Sequence, residues 1–232
     1  MREIVLDTET TGLSPNDGDR IVEIGCIELL NHVPTGEVYH QYINPERDMP
    51  VEAERVHGLS AEFLSGHPVF ADVADAFMDF VSDSPLVIHN AAFDMGFINA
   101  ELSRMGVDTI PRTRAIDTVS MARRKFPGAQ ASLDALCRRF GIDLSERDLH
   151  GALLDARLLA EVYLELLGGR QHGMDLAADI GEAPAKALED APELTDSNSG
   201  RRAPREHAAS EEEKARHTQF LEKINDPIWL RE

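Results

Sequence analysis

The sequence has little cysteine, no long apolar run and a shortage of positive charge. Only 2 of its 232 residues are cysteine. Cys26 and Cys137 lie in apolar surroundings, so we expect buried thiols in a reducing compartment, with a disulfide as the less favoured alternative. No run approaches the roughly 18 apolar residues that cross a bilayer, and the N-terminal residues lack signal-peptide architecture. We therefore expect a cytoplasmic protein that makes no membrane contact.

The shortage of basic residues limits how the protein can meet nucleic acid. There are 23 Lys and Arg residues against 42 Asp and Glu residues, for a formal net charge of −19. Such a charge argues against a broad basic surface that holds nucleic acid, but not against a small site that meets phosphates through metal ions. No Cys/His spacing indicates zinc. No glycine-rich phosphate loop is present, so a clamp loader, helicase or polymerase has no support.

The first two thirds of the chain are dense in strand and helix patterns. Three strand patterns come first, joined by short turn-rich links that favour antiparallel neighbours; they cover residues 2–8, about 20–30 and about 36–44. Strands then alternate with helices. The strand patterns cover residues 85–89 and about 112–116, and the helix patterns cover residues 90–106, 117–126, 132–141 and 152–167. Asn90 is the expected N-cap of the helix over 90–106, and Gly106 its C-cap. This order predicts an α/β protein in which helices flank a mixed sheet.

The pattern ends near Gly168 and Gly169. No aromatic residue occurs from Leu164 to Gln219, and residues 177–217 are too polar to bury a core, which predicts a disordered linker. The last residues, "FLEKINDPIWLRE", regain apolar side chains in an amphipathic pattern. We therefore divide the chain into a domain over 1–168, a flexible linker over 169–217 and a terminal segment over 218–232.

Four acidic residues and one histidine have unusual settings. Asp7 and Glu9 follow an apolar strand and, two residues apart, point to the same side; they repel each other unless a positive charge lies between them. Asp94 lies among apolar residues near a helix start, and His150 and Asp155 begin the last helix. Each alone has an ordinary explanation, such as a turn former, a first-turn helix acid or a surface histidine. Together they are typical of a hydrolase that uses Mg²⁺ or Mn²⁺, since hard cations prefer oxygen ligands.

The spacing of His150 and Asp155 indicates that the two residues do not both belong to the helix. Five residues on a helix correspond to about 500°, so the two side chains would not share a face if both were helical. We expect His150 to lie just before the helix, where Gly151 leaves the backbone free.

Three motifs now carry a resemblance to a known family. "DTETTG", "HNAAFD" and "HGALLDA" are similar to the three motifs of the DEDDh family of 3′→5′ exonucleases, and the likeness covers about residues 2–168. It implies a ribonuclease H-like fold, with a mixed five-stranded sheet flanked by helices. The implied activity is proofreading: the enzyme removes mispaired 3′-terminal nucleotides from single-stranded or frayed DNA ends and releases nucleoside 5′-monophosphates.

The resemblance also implies roles for the five residues and the cofactors. Two divalent metal ions, Mg²⁺ or Mn²⁺, supply the missing positive charge. Asp7 bridges both ions, Glu9 and Asp155 bind the ion nearest the attacking water, and Asp94 supports the second ion. His150 is the general base, a role suited to a side chain that ordinarily changes charge near neutral pH.

Further residues are implied to bind the substrate. Thr10, Gly12 and Leu13 form the floor under the 3′-terminal base, beside the metal ligands Asp7, Glu9 and Asp155. Glu52 and His57 match family positions at the terminal nucleotide; the alternative is an ordinary polar loop.

The implied partners are a replicative polymerase and a sliding clamp. The terminal segment resembles the region with which proofreading members of the family dock on the polymerase alpha subunit; its candidate contacts are Phe220, Ile228, Trp229 and Leu230. "QHGMDL" over 171–176 resembles a clamp-binding motif that uses Gln171, Met174 and Leu176; the alternative is ordinary linker. The resemblance also implies a small accessory subunit, for which the residues offer no motif.

Two other functions remain open. The first is a free-standing DEDDh nuclease acting on RNA or oligonucleotide 3′ ends, which would not need a tethered terminal segment. The second is a catalytically silent scaffold joining polymerase and clamp, which would not need the complete set of five residues.

Overall fold

The computed structural model describes residues 1–145, 147, 149–169 and 210–221. They belong to two units. Residues 1–169 form a sheet with helices, and residues 210–221 belong to the second unit. Most of the residues predicted to bind the clamp or the polymerase lie outside the described residues. They are Gln171, Met174, Leu176, Ile228, Trp229 and Leu230.

A five-stranded mixed sheet organises the first unit, as predicted. Its order is β3-β2-β1-β4-β5. Pairs β1–β2 and β2–β3 are antiparallel, and pairs β1–β4 and β4–β5 are parallel. The strands are β1 Arg2–Thr10, β2 Ile21–Leu30, β3 Val33–Tyr42, β4 Leu86–Ile88 and β5 Ala115–Asp117.

Helices cover the sheet. The α-helices are α1 Val51–His57, α2 Ala61–Leu64, α3 Phe70–Val81, α4 Ala91–Arg104, α5 Thr118–Lys125, α6 Leu133–Phe140 and α7 Ala152–Leu166. Short 3-10 turns at Pro15–Asp17 and Arg112–Arg114 precede β2 and β5. No helix of the described residues is long and apolar enough to span a bilayer.

Strand β1 shows how the sequence builds two cores. Ile4, Val5 and Leu6 are completely buried. Ile4 and Leu6 join the cluster formed with α3 and α4, whereas Val5 joins the cluster formed with α5, α6 and α7. Because side chains alternate along a strand, Asp7 and Glu9 continue the Val5 side, toward α7. Cys26 and Cys137 are buried free thiols, as expected.

Several sequence predictions need correction at the element ends. Strand β1 does not end at residue 8 but pairs with β2 as far as Thr10, with a register shift between Glu9 and Thr10. Asp7 and Glu9 thus lie inside a paired strand, next to a bulge. Asn90 precedes α4 but its side chain does not cap the helix; it is left-handed, with φ of 68°, and its N–H donates to Asp117 Oδ1 at 3.1 Å.

Two segments differ more. The sequence patterns gave no helix between β3 and β4, where α1, α2 and α3 lie, so Glu52 and His57 belong to a helix and not to a polar loop. Residues 211–217, expected in a disordered linker, are part of helix α8 Glu211–Leu221. A capping box explains its start, since Ser210 Oγ accepts from Glu213 N–H at 3.3 Å and Ser210 N–H donates to Glu213 Oε2 at 2.9 Å.

Gly25 allows α7 to approach the sheet closely. It lies opposite Asp7 in the β1–β2 register, and a Cβ atom there would overlap the backbone of Ala152 and Leu153. We predict that Gly25→Ala costs about 1–3 kcal/mol of unfolding free energy, measured by denaturant titration, and lowers nuclease activity by displacing the start of α7.

The matched control is Gly96→Ala within α4, where an added Cβ meets no neighbour within 4 Å. It should stabilise the protein by up to about 1 kcal/mol, because alanine is the better helix former. Equal stability of the two variants would contradict the close-approach role of Gly25.

Candidate active site

The end of β1 and the start of α7 form the centre of the site. Asp7 and Glu9 lie on the side of β1 that faces α7, and Gly25 lets the backbone at Ala152 lie directly against that side. Asp155, in the first turn of α7, is thereby brought to the two carboxylates of β1. The motif at the first strand and the motif at the last helix thus meet at one place.

Glu23 fixes the start of α7. It pairs with Glu9 in the β1–β2 register and is only 3% exposed. Its Oε2 accepts a hydrogen bond from Ala152 N–H at 3.1 Å, and its Oε1 lies 2.7 Å from His40 Nε2. A carboxylate at a helix N-terminus satisfies an otherwise unpaired N–H and interacts favourably with the helix dipole. Glu23 therefore positions the element that carries Asp155.

Asp94 reaches the same region from α4, which packs on the opposite side of the sheet. It is 3% exposed, and its Oδ1 accepts from Thr8 N–H at 3.0 Å and from Thr8 Oγ1 at 2.8 Å. Burial raises the pKa of Asp94 to about 7, against the lowering effect of these hydrogen bonds. Both hydrogen bonds from Thr8 end on Oδ1 of Asp94, and neither of them uses Oδ2.

The carboxylates repel one another in a buried setting. Burial first, and then the charges of Asp94, Glu9, Asp155 and Glu23, raise the pKa of Asp7 well above its ordinary value. Burial and the neighbouring Asp155 raise the pKa of Glu9 to about 8. Groups that resist ionisation when alone are stabilised by a cation placed among them.

The donor set fits a divalent metal ion. Glu9, His150 and Asp155 each offer one ligand atom, and these atoms lie within 4.8 Å of one another. Two carboxylates and an imidazole, with Asp7 and Asp94 beside them, are oxygen-rich ligands of the kind that hard divalent cations take.

Arg147 is the cation that the structure itself supplies. Its Nε and Nη2 donate to Asp155 Oδ1 at 2.6 Å and Oδ2 at 2.7 Å, and its Nη1 pairs with Asp134 of α6. Its charge lowers the pKa of Glu9, although burial and Asp155 outweigh it. A single charge cannot balance four carboxylates, so the site remains strongly acidic.

His150 lies outside α7, as its spacing from Asp155 predicted. Gly151 is the residue before the helix and is extended. The backbone N–H of His150 donates to Val56 O at 3.0 Å, and its side chain is 48% exposed. Its Nδ1 lies 3.1 Å from Asp155 Oδ2 and 2.8 Å from Arg147 Nη2. One ring nitrogen cannot donate to Asp155 and accept from Arg147 at once, so the two contacts require different tautomers.

Two cavities are lined in part by these groups. One, of about 500 Å³, is lined by backbone and side chains of the β1–β2 connection, α1 and α4: Thr8, Glu9, Thr10, Thr11, Gly12, Leu13, Asp19, Pro50, Glu52, Ala53, Val56, His57 and Phe93. The other, of about 280 Å³, is lined by Asp7, His89, Ser132, Leu133, Asp134, Arg147, His150 and Asp155. Glu9 lines the first cavity, and Asp7 and Asp155 line the second.

Five residues that are not metal ligands were predicted to bind the terminal nucleotide, and all five line the larger cavity: Thr10, Gly12, Leu13, Glu52 and His57. Leu13 is 86% exposed at this cavity, an unusual position for a large apolar side chain. His57 is 5% exposed, and its Nδ1 accepts from Leu59 N–H at 3.0 Å. Burial lowers the pKa of His57, which favours the neutral ring. In the neutral ring the bond from Leu59 N–H to Nδ1 leaves the proton on Nε2.

Sequence reasoning missed Arg147 and Glu23. Glu23 had a signal, because it interrupts the apolar run "IVEIGCIELL" on a buried strand. Arg147 had none, since a lone arginine in "SERDLH" has the same pattern as a solvated loop residue. Among the tail residues, Phe220 is described: it lies on α8 and is 58% exposed.

Comparison with known proteins agrees with this geometry. An exonuclease family model, RNase T, matches residues 4–163. DNA polymerase III subunit epsilon of Rickettsia felis is 60% identical over 174 residues, covering 74% of this chain and 76% of that protein. The Escherichia coli K12 subunit epsilon is 51% identical over 177 residues, covering 73% and 72%.

A solved structure gives the same fold. The nuclease domain of 3′hExo, a DEDDh family member bound to rAMP, superposes with a TM-score of 0.63 at 18% identity, covering 72% of this chain and 91% of that one. The chain belongs to the exonuclease family, among the relatives named DNA polymerase III subunit epsilon. It is a proofreading 3′→5′ exonuclease, and activity in this family depends on divalent metal.

The crowding of carboxylates predicts an effect on stability. In chelator, Asp7→Asn should raise the free energy of unfolding by about 1 kcal/mol, or the melting temperature by about 2–4 °C, because it removes repulsion. Asp155→Asn should lower stability instead, because it leaves the buried Arg147 with Asp134 as its one carboxylate partner among the described residues.

Asp79→Asn is the control, since Asp79 is exposed on α3; it should change stability by less than about 0.5 kcal/mol. Equal shifts of the melting temperature in Asp7→Asn and Asp155→Asn would contradict the prediction. They would show that repulsion does not dominate at Asp7 and that the ion pair with Arg147 does not dominate at Asp155.

Proposed function

We propose that this exonuclease removes mispaired 3′-terminal nucleotides from DNA during replication by two-metal-ion hydrolysis, releasing nucleoside 5′-monophosphates. The observation that carries the proposal is that polar atoms of Glu9, His150 and Asp155 lie within 4.8 Å of one another, which puts two carboxylates able to hold an ion beside an imidazole able to take a proton. Glu9 lines the cavity that would hold the nucleotide, and Asp155 and His150 line the cavity that would hold its phosphate. The relatives are named as subunits of a DNA polymerase, which supports DNA over RNA as the substrate.

The chain's carboxylates would hold Mg²⁺ or Mn²⁺. In this proposal Asp7 would serve both ions, Glu9 and Asp155 would hold one, and Asp94 would support the other. When bound, the two ions stabilise the attacking and leaving oxygens of an in-line displacement at phosphorus. Hydrogen bonds from Thr8 to Asp94 and the cap that Glu23 provides for α7 hold the ligands in place beforehand.

His150 would take the proton of the attacking water. Its half-exposed ring lies beside Asp155, at the wall of the smaller cavity, within reach of a water molecule at the scissile phosphate. The contact from His150 N–H to Val56 links the base to α1, which lines the nucleotide cavity. Substrate position and base position are therefore coupled through one helix.

The larger cavity would hold the 3′-terminal nucleotide. About 500 Å³ falls within the usual size of small-ligand sites. Thr10 and Gly12 would form its floor, and Glu52 and His57 would contact the sugar and base. Leu13, exposed at this cavity, would stack on the base or separate it from its neighbour, as apolar side chains do with unstacked bases.

The acidity of the protein requires partners that bring the DNA. A net charge of −19 opposes a long DNA contact outside the metal site. We include two partners in the proposal. The polymerase alpha subunit would bind Phe220, Ile228, Trp229 and Leu230, and the sliding clamp would bind Gln171, Met174 and Leu176. A small accessory subunit on residues 1–168 and a cytoplasmic location complete the proposal, by analogy with replication subunits.

His150→Ala tests the base. Loss of a general base typically costs about 10²–10⁴-fold in rate, so we predict cleavage at least about a hundredfold slower on a 3′-labelled primer with a mispaired end. Binding of Mn²⁺, measured by calorimetry, should persist through the carboxylates. The control is His67→Ala, because His67 packs against Tyr42 and Phe63 instead of the site. A normal rate in His150→Ala would place the base elsewhere.

Truncation after Gly200 tests the tether. All five catalytic residues precede the cut, so hydrolysis of free single strands should be unchanged while stable association with purified polymerase is lost. Gln171→Ala with Met174→Ala should instead weaken clamp binding and spare the polymerase contact. If the truncated protein binds the polymerase as tightly as the full chain in a pull-down, the terminal segment is not the anchor.

A further inference from the structure

Arg147 combines three features that an ordinary surface arginine does not have. Its side chain is 9% exposed. It uses two nitrogens on the two oxygens of Asp155, at 2.6 and 2.7 Å. Its remaining nitrogen pairs with Asp134. A buried charge is costly unless it is fully paired, and this one is paired with a residue that the proposed function assigns to the metal.

Arg147 and a metal ion compete for the same oxygens. The guanidinium occupies both oxygens of Asp155, whereas a cation in the Glu9–His150–Asp155 cluster needs at least one of them. The two positive charges would also repel each other at this distance. Withdrawal of Arg147 from Asp155 when the ion binds would relieve both the competition for oxygens and the repulsion between the charges.

Asp134 determines where the guanidinium goes after that. Asp134 lies in the first turn of α6, and it lines the smaller cavity together with Asp7, His150 and Asp155. An arginine that leaves Asp155 while keeping Asp134 remains in this cavity. A phosphodiester held at Asp7 and Asp155 would lie in the same cavity, and arginine is well suited to bind its free oxygens.

We propose that Arg147 is an exchangeable counter-ion: it neutralises Asp155 while metal is absent, and it yields Asp155 to the metal ion and turns, anchored on Asp134, to the scissile phosphate. The inference rests on the proposed two-metal function and assigns to this residue a direct contact with the substrate phosphate. Withdrawal also frees His150 Nδ1 from its contact with Arg147 Nη2.

The first test is metal binding in the absence of DNA. Arg147→Gln keeps much of the side-chain volume and removes the charge. We expect calorimetry to show about tenfold tighter Mn²⁺ binding than in the wild type, because no ion pair has to be broken and one repulsive charge is gone. In chelator the variant should melt at a lower temperature than the wild type, and saturating Mn²⁺ should close most of that gap.

Arg138→Gln is the matched control. Arg138 also pairs with Asp134, at 3.6 Å, but is 71% exposed, and no contact of it with Asp155 is found among the described residues. Like Arg147→Gln, this substitution removes one positive charge that pairs with Asp134. It should leave Mn²⁺ affinity within about twofold, because exposed charges are screened. Unchanged or weaker Mn²⁺ binding in Arg147→Gln would overturn the proposal.

The second test separates the phosphate role from the metal role. At saturating Mn²⁺, Arg147→Gln should cleave a single-stranded oligonucleotide with kcat/KM lowered at least about tenfold, the scale of a lost charged hydrogen bond, and Arg147→Lys should recover part of the loss. Wild-type kcat/KM in Arg147→Gln would overturn the proposal. A wild-type protein that binds no Mn²⁺ would instead refute the proposed two-metal function, so the two failures are distinguishable.

Discussion

The structure depends on one unfavourable interaction, the repulsion among carboxylates gathered at the end of β1. Asp7 and Glu9 share a side of the strand because the backbone alternates, and Asp94 and Asp155 reach them from helices on opposite sides of the sheet. Burial strengthens the repulsion and raises the pKa of Glu9 to about 8 and of Asp94 to about 7. A cation placed among these carboxylates would relieve the repulsion.

The surrounding residues keep these groups together despite the repulsion. Gly25 has no side chain where the start of α7 meets the sheet, Glu23 holds the first N–H of that helix, and Thr8 fixes one oxygen of Asp94. Each contact joins a strand of the sheet to a helix that is distant in sequence. The sheet therefore fixes the positions of Asp94 and Asp155. Arg147 adds a charge that can be exchanged, which the acidic cluster needs when no metal is bound. Preorganisation of this kind lowers the cost of binding the reacting phosphate.

Much of the fold could be predicted from the sequence, and so could the acidic residues that the structure brings together, because strong local patterns encode them. Their catalytic and metal-binding roles remain predictions. The buried run before Asp7 predicts the central strand, and the alternation of later strands and helices predicts the mixed sheet. The acidic residues stand out because they occur in apolar surroundings. Helices α1 and α2 were missed because they are short, with 7 and 4 residues. Helix α3, with 12 residues, was missed as well, although its buried positions follow a helical spacing. Arg147 and Glu23 could not be assigned because their roles arise from tertiary contacts, the latter between residues 129 positions apart. The left-handed backbone of Asn90 likewise depends on Asp117.

A crystal structure of the wild-type protein with Mn²⁺, using anomalous diffraction to locate the ions, tests the central claim most directly. The account predicts two anomalous peaks about 4 Å apart, held by Asp7, Glu9, Asp94 and Asp155, with Arg147 withdrawn from Asp155 and still paired with Asp134. Anomalous peaks at other residues, or none at these carboxylates while Arg147 keeps both oxygens of Asp155, would contradict it.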